Sequence, residues 1–169
     1  MKKLFSFKKP KEGELRNAFS KYVPADIFDS IMAGKLNAIE LPFKKGLINF
    51  IIIQLKEEPI EELQNLHKEV VSTILENNGF VVGIISTIVL ATFGFPFQDD
   101  KNAAGLCEHT GYSLLKSLGD QIKVIYGSDE GFYGNIGTSK YSNYGPLIPR
   151  FNNKLSFLMN LEYGKLMKI

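Results

Sequence analysis

Two conspicuous pairs of adjacent acids in this sequence could bind a divalent metal ion. They are Asp99-Asp100 and Asp129-Glu130, and the second pair follows a predicted strand, where functional loops often begin. Carboxylate oxygens are the ligands that Mg²⁺ prefers in proteins. Acids in surface loops are usually only solvated, however, so these pairs alone do not predict a metal centre.

The two histidines offer a weaker basis for metal binding. His67 and His109 fall on two different predicted helices, and neither has a Cys or His neighbour at the spacing of a zinc site. The sequence also contains no Walker loop, no dinucleotide-binding glycine fingerprint and no nucleophile elbow. It therefore predicts neither a bound metal nor a bound cofactor.

A basic and aromatic segment formed by Lys140, Tyr141 and Tyr144 could stack on a nucleic acid base. Hairpin tips often have this composition without such a function, so no specific nucleic acid is predicted as a partner. The single cysteine, Cys107, excludes an internal disulfide and predicts a reducing, cytoplasmic location. On a helix, such a cysteine is expected to be a small buried apolar residue.

The positive charge of the chain is concentrated at its N-terminus. The first eleven residues contain no acid and five lysines, which are Lys2, Lys3, Lys8, Lys9 and Lys11. Residues 1–14 are predicted to be a flexible basic arm, followed by a single domain over residues 15–169. The arm could weakly contact an acidic membrane or another polyanion.

The spacing of apolar residues predicts the order of elements in the domain. Residues 15–34 read as a helix, a break at Pro24 and a second helix, which together form an N-terminal helical extension. A buried strand at 46–55 precedes a helix that opens after Pro59 and ends near Asn77. The later elements are strands at about 80–85, 88–93 and 122–127, a helix at about 99–118, a turn-rich hairpin region at 127–145, and a last helix at about 149–164. This is the order of the ferredoxin-like split βαβ core, so an α+β fold is predicted.

Residues 80–98 carry no charge, and this apolar run approaches the length of a membrane span. It contains Gly83, Gly94 and Pro96 and is rich in β-branched residues. Two buried strands joined by a tight turn explain this composition better than a transmembrane helix.

Several motifs along this order resemble the class III nucleotidyl (adenylate and guanylate) cyclase domain. Residues 19–24, FSKYVP, are similar to the motif of its first helix, and residues 90–96, LATFGFP, are similar to the end of its hairpin. Residues 134–137, GNIG, match a second hairpin motif of that family. The resemblance extends over residues 15–160 and implies the cyclase-type ferredoxin-like fold.

The residues that the family uses for chemistry are almost all replaced here. By position, the two metal-binding aspartates fall on Ile52 and Thr87, and Gln54 is the only polar candidate near the first. The lysine and the acid that read the purine fall on Gly83 and Asn143, and the transition-state arginine falls on Ser156. Asn152 alone matches a family residue, an asparagine that positions the ribose.

The resemblance therefore implies a domain that is not an enzyme. Its main predicted role is that of a regulatory or protein-interaction module, as a homodimer or as a heterodimer with another protein. The alternatives are a nucleotide or cyclic-nucleotide sensor without turnover, an enzyme of altered mechanism, and a scaffold domain tethered by its basic arm.

Overall fold

The computed structural model of the chain describes residues 44–94, 101–138 and 141–169, together with Gly13, Asp29 and residues 32–34. For residues 135–138 and 141–144 it describes the backbone only. The chain divides into two units, Met1–Leu41 and Pro42–Ile169. The predicted basic arm, its boundary at residue 14 and nearly all of the predicted N-terminal helices lie outside the described residues and stay predictions.

The second unit alternates strands and helices. The strands are β1 (Lys44–Leu55), β2 (Gly79–Ile85), β3 (Ile88–Phe93), β4 (Ile122–Thr138), β5 (Tyr141–Leu147) and β6 (Leu166–Lys168). The helices are α1 (Ile60–Glu76), α2 (Ala103–Leu118) and α3 (Phe151–Asn160). The strand order in the sheet is β2-β3-β1-β4-β5, and β6 lies beside β4. The predicted α+β fold with a split βαβ core is confirmed.

The sheet departs from the predicted elements near the C-terminus. The strand expected to end at residue 127 continues to Thr138, because its backbone pairs with β1 and then with β5. The last helix ends at Asn160, and the chain then returns as β6, which runs parallel to β4. Pairing with neighbouring strands decides these boundaries over local composition.

The uncharged run forms β2 and β3, which are joined by a two-residue turn, as predicted. The expectation that both strands are buried holds for β3 better than for β2. Among the described strands β2 is at the edge of the sheet, and its residues are half-buried or exposed. No helix within the described residues combines the length and the apolar character of a membrane span.

The central strand β1 places alternate side chains in two apolar cores. Ile51, Ile53 and Leu55 pack beneath α1 and α2, whereas Ile48, Phe50 and Ile52 pack on the opposite face with α3. We call these the α1/α2 face and the α3 face of the sheet. Because side chains alternate along a strand, the side chain of each residue on β1 has a defined face.

The last residues of the chain pack closely on β4. The backbone N–H of Ile169 donates to the carbonyl of Tyr126 at 2.9 Å. The backbone N–H of Val124 donates to the carbonyl of Lys165 at 3.0 Å. Gly127 allows this approach, since a Cβ there would lie 2.3 Å from the carbonyl oxygen of Ile169. The C-terminal segment therefore completes the sheet where β5 no longer covers β4.

Candidate functional site

The end of β1 meets the turn between β2 and β3, which is where the two metal-binding positions of a cyclase would be expected. The backbone N–H of Leu55 donates to the carbonyl of Thr87 at 2.8 Å. Gln54 pairs with Ile88, the residue that follows the turn. We call the group Gln54, Thr87, Lys123 and Tyr163 the β1-end cluster.

Strand register places Gln54 nearer to this turn than Ile52. Ile52 pairs with Leu90 of β3 and Ile125 of β4 and is fully buried in the core of the α3 face. Gln54, two residues further along the same face, pairs with Ile88 and Lys123. The side-chain oxygen Oε1 of Gln54 is buried, and no donor among the described residues reaches it. The position of Gln54 opposite the turn follows from the pairing of β1 with β3, and the local sequence alone does not predict it.

A lysine is buried beside Gln54. Only 6% of Lys123 is exposed, and its ammonium donates to the carbonyl of Met159 at 3.1 Å. The same Nζ lies 5.0 Å from the centre of the Tyr163 ring, a cation–π distance. Since Met159 is in the last turn of α3, the cation lies at the negative end of the helix dipole. Desolvation lowers the pKa of Lys123 from its ordinary value. Sequence reasoning did not identify this lysine.

Tyr163 covers the cluster from the segment that follows α3. Its Oη donates a long hydrogen bond to the carbonyl of Leu55, at 3.4 Å. Desolvation, followed by the charge of Glu57, raises the pKa of the phenol. Tyr163 is therefore a neutral donor at physiological pH.

The turn itself is supported from α1. The two ring nitrogens of His67 lie 2.8 Å from the carbonyl of Leu63 and 2.9 Å from the carbonyl of Ser86. Ser86 adopts a positive φ of 53°, and Thr87 is buried, with 8% of its surface exposed. His67 thus connects α1 to the turn through both of its ring nitrogens.

Gly83 lies on β2 beside Leu90 of β3, next to an irregularity in the pairing of the two strands. Nothing lies within 4 Å of the place that a Cβ would occupy at Gly83. The space for a longer side chain exists there, so the glycine is not required by packing.

The residues predicted from the last family motif are on or near α3. Asn152 and Ser156 are both exposed, and the Ser156 hydroxyl donates to the backbone carbonyl of Asn152 at 3.0 Å. The hydroxyl is thereby used within its own helix. Asn143 is on β5, where only the backbone is described, as it is for Tyr141 and Tyr144; Lys140 lies outside the described residues.

The acidic pair on β4 does not converge on one site. Asp129 forms an ion pair with Lys154 of α3 at 2.9 Å, whereas Glu130 pairs with Lys45 of β1 at 2.9 Å. Consecutive residues of a strand face opposite sides of the sheet, so the two carboxylates cannot share one cation. Asp99 and Asp100 lie outside the described residues.

The remaining residues singled out from the sequence are Cys107 and His109, both on α2. Cys107 is on α2, buried, and its thiol donates to the carbonyl of Phe50 at 3.1 Å, as expected for a small buried residue. Burial, with the nearby charge of Glu108, raises its pKa to about 12. His109 is exposed and lies 3.4 Å from the hydroxyl of Ser113.

The β1-end cluster does not fit a pair of magnesium ions. Its side chains offer an amide, an alcohol, a phenol and an ammonium, and none of them is a carboxylate. Within the described residues, no three His, Cys, Asp or Glu side chains come together. Mg²⁺ requires hard, normally anionic oxygen ligands, and the ammonium of Lys123, which forms no ion pair within the described residues, further disfavours a divalent cation. The cluster can donate hydrogen bonds and hold a positive charge.

The solved structures similar to this chain include nucleotidyl cyclases. The adenylyl cyclase CyaB from P. aeruginosa aligns with a TM-score of 0.66 and 15% identity over 75% of this chain and 79% of that one. A bacterial light-regulated adenylyl cyclase aligns with a TM-score of 0.67 and 16% identity over 87% of this chain and 49% of that one.

A third similar structure is described as the non-canonical dimeric guanylyl cyclase domain of the RhoGC fusion protein from the aquatic fungus Blastocladiella emersonii. Its TM-score is 0.61, with 11% identity over 73% of this chain and 80% of that one. No protein-family model and no curated protein sequence matches this chain. Since these structures align with TM-scores of 0.61 to 0.67, the chain has the fold of a class III adenylyl and guanylyl cyclase domain.

Proposed function

We propose that this domain is a catalytically silent cyclase-fold module that acts by binding another protein subunit. The observation that carries the proposal is the β1-end cluster. Where metal-binding carboxylates would be needed, the chain has the neutral side chains of Gln54 and Thr87 beside the buried ammonium of Lys123.

Nucleotide cyclisation depends on charged groups at the reacting oxygens. The 3′-hydroxyl displaces pyrophosphate, and two metal ions can stabilise the attacking and leaving oxygens. Removing one preorganised electrostatic group from an active site typically costs ~3–4 kcal/mol of transition-state stabilisation. Here neutral residues occupy the positions of both carboxylates, and Ser156 occupies the position of the arginine. The combined loss removes most of the expected rate enhancement.

An activity assay tests the silent state. Purified protein is incubated with ATP or GTP and Mg²⁺ or Mn²⁺, and cyclic nucleotide is measured by mass spectrometry, with the CyaB adenylyl cyclase as the positive control. We expect no product above the buffer blank. Metal-dependent product that is also lost in a Thr87→Val variant would overturn the proposal.

The surface that supports subunit binding is the uncharged β2–β3 hairpin. At its tip Ile84 and Ile85 are 47% and 78% exposed, next to a strand whose residues carry no charge. Exposed contiguous apolar surface is typical of a protein contact, and a sheet edge can pair with a second chain. We assign the dimer contact to this hairpin.

Sedimentation velocity at micromolar concentration tests the contact. We expect a dimer for the unmodified chain and a monomer for Ile85→Lys, because a lysine at the tip would be buried without a partner. Ile60→Lys is the matched control, since Ile60 is 65% exposed on α1 and away from the hairpin. A monomeric unmodified chain, or a dimer that Ile85→Lys leaves intact, would rule out this surface.

A further inference from the structure

We propose that His67 is a proton-operated latch on the turn between β2 and β3, which the doubly protonated ring holds and the neutral ring loosens. The two ring nitrogens lie 2.8 Å from the carbonyl oxygen of Leu63 and 2.9 Å from that of Ser86. Leu63 is one turn earlier on α1, whereas Ser86 is in the turn between the strands. The ring therefore joins a helix to the tip of the uncharged hairpin.

Both contacts are made to hydrogen-bond acceptors, and this determines how many protons the ring needs. A carbonyl oxygen accepts a hydrogen bond and cannot donate one. A neutral imidazole has one N–H donor and one nitrogen with a lone pair, so it satisfies one carbonyl and turns its lone pair towards the other. The imidazolium form has two N–H donors and satisfies both. Rotating the ring by half a turn would place C–H groups against both carbonyls, so that orientation fits less well.

The turn is a strained segment that depends on outside support. Ser86 has a positive φ of 53°, a conformation that residues with a side chain adopt at a cost in free energy. From the sheet, the backbone N–H of Leu55 donates to the carbonyl of Thr87 at 2.8 Å. From α1, His67 binds the carbonyl of Ser86. Of these two supports, the one from His67 changes with the protonation of a side chain.

The titratable groups on the elements around His67 do not pair with its ring. β2, β3 and the turn between them contain none, and the α1 residues three and four positions from His67 are uncharged. The others on described elements that contact α1 are Lys44 and Lys45 on β1; Lys56, Glu57 and Glu58 after it; Glu61, Glu62, Lys68, Glu69 and Glu76 on α1; and Cys107, Glu108, His109, Tyr112 and Lys116 on α2. Within the described residues, the ring nitrogens of His67 bind the two carbonyls alone. These carbonyls therefore decide which protonation state fits the fold.

The latch strengthens the fold in acid. Hydrogen bonds from a charged donor are roughly twice as strong as neutral ones. The two carbonyls are held in place only in the folded chain, so protonation of His67 favours folding. Its contribution is present at acidic pH and is lost as the pH rises, in the range where histidine changes charge.

A regulated subunit contact follows, and this consequence rests on the proposed function. Ile85, at the tip assigned to the dimer contact, directly precedes Ser86. A latched turn presents Ile85 in one conformation, so the dimer should be tighter at about pH 5.5 than at about pH 7.5. Sedimentation velocity at both values measures this. A chain that is monomeric at both would contradict the dimer contact, whereas the measurements below test the latch by itself.

NMR spectroscopy of the unmodified chain tests the protonation state directly. At about pH 5.5 we expect both ring N–H protons of His67 to be observed, because hydrogen bonding slows their exchange with water. His109 is the internal control, since it is exposed and its ring lies 3.4 Å from the Ser113 hydroxyl, which can donate or accept. Its ring protons should exchange too fast to be observed. One ring proton on His67 at this pH, or equal exchange in both histidines, would overturn the proposal.

Urea unfolding and amide hydrogen exchange test the effect on the turn. Between about pH 5.5 and about pH 7.5, the folding equilibrium constant should fall about tenfold more in the unmodified chain than in His67→Gln. The Leu55 amide, which is bonded to the turn, should lose protection over the same range in the unmodified chain alone. His67 is half-buried and glutamine favours helices, so the variant should fold, and circular dichroism verifies this. His109→Gln is the matched control. The same pH dependence in His67→Gln, or its loss in His109→Gln, would overturn the latch.

Discussion

At the residue scale, two side-chain amides on β1 have opposite surroundings. Asn49 accepts a hydrogen bond from the Ser128 hydroxyl at 2.6 Å and is 6% exposed, whereas the Oε1 atom of Gln54 is buried and no donor among the described residues reaches it. An unsatisfied buried acceptor costs free energy. The side chain of Gln54 is therefore matched less well to its surroundings than that of Asn49.

The stability of two substitutions checks this contrast. We expect Gln54→Met to leave the free energy of unfolding within ~0.5 kcal/mol or to raise it, because no hydrogen bond to Oε1 is lost. Asn49→Leu should lower it by ~1 kcal/mol, because it removes the hydrogen bonds of a buried amide to the Ser128 hydroxyl and to the carbonyl of Phe93. Urea denaturation measures both values, and a larger loss in Gln54→Met than in Asn49→Leu would contradict the assignment.

At the element scale, α3 is attached to the sheet by an ion pair, by the hydrogen bond from Lys123 to Met159 and by an apolar surface. Leu158 is fully buried in the core of the α3 face, and Lys154 lies 5.3 Å from the centre of the Phe50 ring. The side chain of Lys154 is only 13% exposed, so its pair with Asp129 is better shielded from solvent than the pair of Lys45 with Glu130, whose side chains are 61% and 71% exposed. The helix that covers Lys123 is thus held partly by charge.

The two ion pairs provide a matched prediction. Asp129→Asn should lower the free energy of unfolding by ~1 kcal/mol, because it leaves a partly buried ammonium without its counter-charge. Glu130→Gln should change the free energy by less than ~0.5 kcal/mol, as is usual for exposed pairs. Thermal and urea unfolding of both variants at low and high salt measure the difference, and equal effects would mean that α3 does not depend on this pair.

At the scale of the whole molecule, two acidic groups are buried in their neutral form between α2 and β4. Burial raises the pKa of Cys107 from 9.0 to about 12. Burial, followed by the hydrogen bond to Glu108 at 2.9 Å, raises the pKa of Tyr126 from 10.0 to about 12. Both groups keep their protons in the folded chain at pH values where the unfolded chain would release them.

This difference predicts a loss of stability in alkali. The contribution of a raised pKa is complete below the unfolded value and is lost as pH rises towards the folded value, here from pH 9.0 to about 12 for Cys107. Each group can lower the free energy of unfolding by up to ~1.4 kcal/mol per pH unit in its window. Urea titrations from pH 8 to 11 should show this slope, and Cys107→Ala should reduce it; an unchanged slope in the variant would exclude Cys107 as a cause.

The sequence by itself determined the elements whose signals are local. The apolar spacing after Pro59 predicted α1, and the uncharged run with its β-branched residues predicted β2 and β3. The strand and helix order then fixed the split βαβ core, since few topologies accommodate that order. The sequence also predicted that the turn has a threonine, Thr87, where an acid would be needed. The position of this turn follows from the uncharged run of residues 80–98.

Only the tertiary structure decided which residues meet at the end of β1. Gln54 and Lys123 are 69 positions apart in the chain, and they become neighbours through strand register, which depends on the packing of both faces at once. The same holds for Asp129 and Glu130, whose adjacency in sequence suggested a shared site but whose alternation on β4 separates them. Local patterns carry the periodicity of an element, whereas the contacts between distant elements are set by the summed burial of their side chains, and this sum is defined only in the folded chain.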